Sequence, residues 1–139
     1  MAKESAPDPA IGIWKLSVPQ SSFTFVPVPK SSFIRVEAWN DGLKVSAEII
    51  DALGNKTHPQ IAYKCDGNDY PLTGFPLADS ISTTRINERK SESVLKKGGR
   101  VIFTAKAVIF WDGKTLTVIL TGMDAEGRLA DELFTYERQ

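Results

Sequence analysis

The sequence predicts an all-β protein, a single up-and-down antiparallel β-barrel of about eight to nine strands. Apolar and polar side chains alternate at a two-residue period along much of the chain, and turn-forming pairs punctuate that pattern at roughly ten-residue intervals. Helical apolar spacing behind a capped start is not found in the sequence. The connections are short, which disfavours the long crossovers of a Greek-key sandwich. Closure of such a meander removes its edges and leaves an interior suited to packed side chains or one small ligand.

Residues 1–9 carry Pro7 and Pro9 without periodicity and are expected to form a flexible leader, with the barrel domain spanning 10–139. "IGIWKL" is a first short strand. Pro19, Pro27 and Pro29 exclude a central strand or helix from "SVPQSSFTFVPVPKSS", which reads as an extended crossing that pins Phe23 and Phe25 on the body. Next, Ile34, Val36 and Ala38 alternate against Phe33, Arg35, Glu37 and Trp39, then Leu43, Val45, Ala47 and Ile49 against Lys44, Ser46 and Glu48. Asp41-Gly42 between them supplies the turn of a tight hairpin. "HPQIAYKC" follows as a strand with Ile61, Tyr63 and Cys65 on one face, and "DGNDYPLTGFPLAD" is the longest irregular piece. "SISTTRIN", "SESVLKK", "VIFTAKAVIFW", "TLTVILTG" and "LADELFTYER" complete the set. In this scheme "WDGK" turns an interior hairpin, and Trp111 stands near a barrel mouth, capping the cavity or packing beneath the turn.

The 139 residues are enough for one domain with a real core. Lys plus Arg and Asp plus Glu balance at 17 each, so no global field recruits nucleic acid or an anionic membrane. Cys65 is the sole cysteine, which excludes an internal disulfide and a cysteine-based zinc site. No apolar run reaches the length of a membrane span, and the N-terminus lacks an apolar signal core, as in a cytoplasmic protein or a mature exported form.

Gly12-Ile13-Trp14 in the first strand resembles the G-x-W of the lipocalin or calycin group. That resemblance implies a Trp closing one barrel end beneath an Arg of the last strand, here Arg138. The elements "GIWKL", "PKSS", "YKCDGNDYPLTGFP", "DGKTLTV" and "TGMDAEGR" are similar, through nearly the whole chain, to small exported lipocalin-like proteins of soil bacteria. The likeness implies a secreted or periplasmic location and brings no catalytic residues. Where this chain has Phe75, Phe110 and Trp111, that group generally carries polar side chains.

His58 is the only histidine, so a catalytic triad or multi-histidine metal site would depend on it alone, and no metal site or cofactor is expected. An exposed rim position is its plainer reading. Asp69, with Asp66, could act as a base, although turn capping explains the pair more simply. Glu48 and Glu132 are possible inward carboxylates, which an apolar pocket would turn into bases. Arg85 alternates with Ile81 and Thr83. Inward, it needs a carboxylate or a ligand anion; outward and solvated is the expectation, because long charged chains are seldom buried.

Aromatic side chains on almost every strand or rim loop form the stronger signal. Phe33, Trp39, Tyr63, Tyr70, Phe75, Phe103, Phe110, Trp111, Phe134 and Tyr136, with Arg85, are the expected ligand-binding set. The preferred reading is a monomeric barrel that binds a small apolar or aromatic molecule. A cofactor-independent enzyme using the same cavity (isomerase, cyclase, lyase or hydrolase), with Glu48, His58, Asp69 or Glu132 as base, stays open beside it.

Overall fold

The structure, a computed structural model, describes residues 8–24, 27–123 and 126–139. Within them lie eleven strands: β1 (Gly12–Leu16), β2 (Ser31–Trp39), β3 (Gly42–Ile50), β4 (Lys56–Thr57), β5 (Gln60–Tyr63), β6 (Asp66–Pro71), β7 (Ser80–Asn87), β8 (Lys90–Lys97), β9 (Arg100–Ile109), β10 (Thr115–Met123) and β11 (Leu129–Arg138). One 3₁₀ turn, Val18–Gln20, interrupts the proline-containing crossing that the sequence reads as free of helix. Pro19 fits there because a first-turn position needs no amide donor.

All ladders are antiparallel, in the order β4-β3-β2-β1-β11-β10-β9-β8-β7-β6, with β5 also on β3. The all-β meander is as the sequence predicts, but the closed barrel of about eight to nine strands is corrected to an open, curled half-barrel of eleven. The difference arises in one place. β5 runs through Lys64 and Cys65 into β6, so a single bent stretch pairs with β3 by its first half and with β7 by its second. The two halves do not ladder with each other. The chain itself spans the seam, helped by a two-way backbone bridge between Gln60 and Thr73 (2.8 and 3.0 Å).

The β2–β3 turn is also displaced from expectation by one residue. Trp39 pairs with Gly42, leaving Asn40 and Asp41 as the central residues, with Asn40 at φ 49°. Asn tolerates this left-handed conformation better than most side chains. Gly42 instead serves the ladder, since a Cβ there would strike the Tyr63 carbonyl oxygen.

Alternation sorts the side chains onto two faces. Register carries the concave face around the sheet from Ile34 and Val36 to Trp14 and Leu16, then to Tyr136 and Phe134, Leu116 and Val118, and Ile109 and Ala107. Buried Trp14, Leu16, Val36, Leu43, Ile109, Leu116 and Tyr136 make the main core. A second cluster of Ile61, Leu72 and Ala78 packs with Tyr63, Tyr70, Phe75, Ile81 and Leu95 across the seam. The crossing segment closes one side of the fold: Ser22 bridges Leu133, and Phe23 meets Phe134 edge to face at 5.6 Å. Phe25, expected beside it, lies outside the described residues, as do residues 1–7 of the leader. Asp8 and Pro9 are tied to the body, as set out below.

Candidate ligand-binding site

One end of the half-barrel is sealed. The Arg138 guanidinium lies 4.3 Å from the centre of the Trp14 ring and donates to the carbonyls of Gly113 (2.6 Å), Ile11 (2.6 Å) and Pro9 (2.5 Å). The indole N–H of Trp14 donates to the Ala10 carbonyl at 2.9 Å. Register sets this up, because Trp14 and Arg138 are direct partners across β1 and β11. The sequence expectation that these two residues stack is met. Their contact combines cation–π attraction with charge-assisted hydrogen bonds to three backbone carbonyls.

Away from that seal, the concave face is built from small or half-buried side chains. Ser91 pairs with Ala107 and Ser93 with Ala105 across β8 and β9, and Leu120 and Val118 continue the row on β10. All six are half-buried, as is Phe134 beyond them. A solidly filled barrel would bury these positions completely. Thr83 and Ser93 share a hydroxyl–hydroxyl hydrogen bond of 2.8 Å, so a polar pair sits beside the small and apolar side chains of this surface.

Several expected binding residues gather on this side. Tyr63 packs against both core clusters and Phe103 is buried on β9. Tyr70 and Phe75 pack against the second cluster, and the Tyr70 hydroxyl donates to Asp66 at 2.7 Å. Tyr136 is buried in the main core, where burial raises its phenol above the ordinary range and a hydrogen bond with Ser32 opposes that. For Tyr63, burial is the main cause of a phenol pushed up to about 12, with Cys65 and Asp8 adding to the rise and Arg85 opposing it.

Arg85 follows Ile81 and Thr83 on the concave alternation, opposite Ser91, so it is not outward, although it is an exposed residue, as a solvated side chain would be. The carboxylate such a position needs is Asp8, which meets its guanidinium at 2.5 Å. Arg85 also reaches the Cys65 sulfur at 3.7 Å and, weakly, the Glu88 carbonyl at 3.4 Å. These contacts lie where β5 passes into β6.

Other members of the set are elsewhere. Phe33 and Trp39 follow the convex alternation of β2, and Lys15 sits over the Phe33 ring at 5.8 Å. Phe110, the residue after β9, is exposed. Trp111 is 88% exposed, with Arg89 over its ring at 4.8 Å, so it neither caps a cavity nor packs under its turn. Two concavities of about 400 Å³ each are found outside the half-barrel. One runs over Ile13, Phe33, Arg35, Glu48 and His58, and the other lies along Val108 to Asp112.

The four acid–base candidates do not converge. Glu48 and His58 share the convex groove and are exposed. Asp69 accepts from Lys96 at 3.0 and 3.1 Å. Glu132 is fully buried on the concave alternation, and its carboxylate accepts the Thr24 amide at 2.7 Å, anchoring the crossing segment. Among the described residues no three His, Cys, Asp or Glu side chains are grouped to hold a metal, and no helix is long and apolar enough to cross a membrane.

Sequence reasoning passed over Asp8, Ser91, Ser93, Ala105 and Ala107. The alternating small residues of "SES" and "AKA" were the available signal for the latter four. Nothing in the leader marked Asp8.

No protein-family model matches the chain, and no curated protein matches it. Among solved structures it is similar to that of the siderocalin Ex-FABP, a protein described as functioning through dual ligand specificities. The sequence identity is 16% and the TM-score 0.41, over 94% of this chain and 74% of that one.

Proposed function

We propose that this protein is a lipocalin-like binding module that holds a small apolar or aromatic molecule against its concave face. The observation that carries the reading is the half-buried row of Ser91, Ser93, Ala105, Ala107, Val118 and Leu120, an apolar and accessible surface inside a curled sheet. Such a surface with a few polar groups is the usual make-up of a small-molecule site. The Trp14–Arg138 seal supports the same reading, because it leaves one end of the half-barrel blocked and directs access to the rest. Tyr63, Tyr70, Phe75, Phe103, Phe134 and Arg85 are its lining in this scheme. Like the exported lipocalin-like proteins that its motifs resemble, it works as a monomer outside the cytoplasm.

Native mass spectrometry of the purified protein, followed by denaturation, tests the proposal by showing whether an apolar compound co-purifies. N-phenylnaphthylamine fluorescence supplies the second arm. The wild-type protein is expected to enhance the dye, and Ala107→Trp, which fills the row, to weaken binding by about tenfold or more with an unchanged circular dichroism spectrum. Equal dye binding by both proteins would remove the concave face as the site.

A further inference from the structure

We infer that Arg85 forms an anion subsite at the seam, that the chain's own Asp8 occupies it, and that an apolar ligand ending in a carboxylate displaces Asp8. The inference rests on the concave-face reading and adds the chemistry of the ligand's polar end. Arg85 is the cation that the concave alternation of β7 carries, next to Thr83 and across from Ser91. The Arg85 side chain is about one-third exposed (34%), and the Asp8 side chain pairing with it is 19% exposed. The pair is therefore partly desolvated, and an arginine in that state is satisfied by a carboxylate.

The carboxylate it has comes from the chain's edge. Asp8 belongs to a short turn in which its carbonyl accepts the Ile11 amide at 3.0 Å and its other carboxyl oxygen accepts the Ala10 amide at 2.9 Å. Among the described contacts, only Arg85 ties the Asp8 side chain to the sheet; Arg138 holds the backbone of this segment one residue further on, at Pro9. The turn can thus release Arg85 while the seal at Trp14 stays in place. The groups around the guanidinium suit an amphiphile: Tyr63, Cys65 and Ser91 at the polar end, then Ala107 and Val118 leading inward across β9 and β10. A ligand carboxylate accepting from Arg85 would repeat the contact that Asp8 makes with the guanidinium.

The test compares dansylaminoundecanoic acid with its methyl ester, titrated by fluorescence into the full chain and its variants. Removal of the competitor in Asp8→Ala, or its neutralisation in Asp8→Asn, is expected to tighten the acid about tenfold and leave the ester unchanged. Arg85→Gln is expected to bring the acid down to the affinity of the ester. Acid and ester binding equally in all four proteins would overturn the subsite while leaving the concave-face reading intact. Failure of both probes to bind any of the four would overturn the two together. Circular dichroism of each variant confirms that the fold is retained.

Discussion

At the scale of single residues, Arg138 holds more than any other side chain described. It stacks on Trp14 and satisfies three backbone carbonyls from two separate segments, the N-terminal turn and the loop before β10. Arg138→Met keeps the length of the side chain and removes every donor. It is expected to destabilise the fold by about 2–3 kcal/mol, read from urea unfolding. Tyr63 makes a different prediction. Its folded phenol titrates at about 12 against an ordinary 10.0, so the folded state holds its proton longer than the unfolded state does. The associated stability is complete below pH 10 and is lost as pH rises toward 12. Unfolding midpoints measured across that window should fall, and Tyr63→Phe should flatten part of the fall, because Tyr136, raised by burial, and Tyr70, raised by its hydrogen bond to Asp66, are shifted the same way. The Trp14–Arg138 pair was expected only because the G-x-W of β1 resembles that of the lipocalin or calycin group. The sequence did not show the Asp8–Arg85 pair, because those residues are 77 positions apart and only the folded seam brings them together.

At the scale of elements, the hairpins were legible and the seam was not. Strict alternation in β2 and β3 separated two sets of side chains without showing which set faces inward: Ile34 and Val36, opposite Ala47 and Val45, take the concave face, and Phe33, Trp39 and Glu48, expected in the cavity, take the convex one. β6 broke the pattern because its ladder to β7 shifts register between Asp66 and Asp69, a bulge that erases a two-residue period. Pro71 and the glycines on either side then read as loop. On β9 and at Phe110 just beyond it, apolar side chains occur on both faces, so alternation alone could not separate buried Phe103 from exposed Phe110. The seam depends on Gly74, which has a φ of 74° and sits so close to the His58 carbonyl that a Cβ has no room. Gly74→Ala is expected to cost about 1–3 kcal/mol and to open the adjacent Gln60–Thr73 bridge. Hydrogen exchange at those two amides should speed up, while exchange in the β10–β11 ladder keeps its wild-type rate.

At the scale of the whole molecule, β5 and β6 are consecutive in sequence although they lie at opposite ends of the ladder order. On the opposite wall the halves are joined by the β1–β11 ladder and the Ser22–Leu133 bridge, and at the seam by the Gln60–Thr73 bridge. The sequence could indicate strands and their turns, but curvature comes from summed twist and from the bend at Lys64 and Cys65, which no local pattern encodes. That bend also has a use as a chemical handle. The only cysteine of the chain stands at the bend where β5 passes into β6 and no ladder joins the two strands. Cyanylation and cleavage before Cys65 in denaturant would yield one piece carrying β1 to β5 and another carrying β6 to β11. On refolding together, the pieces should co-elute as one particle zipped along β1 and β11, and should bind the dye more weakly than the uncut chain. Separate elution would mean that the peptide link at the bend contributes more to cohesion than the ladder on the opposite wall. The lone thiol thus makes this protein a candidate for a two-part reporter, assembled only when its halves meet.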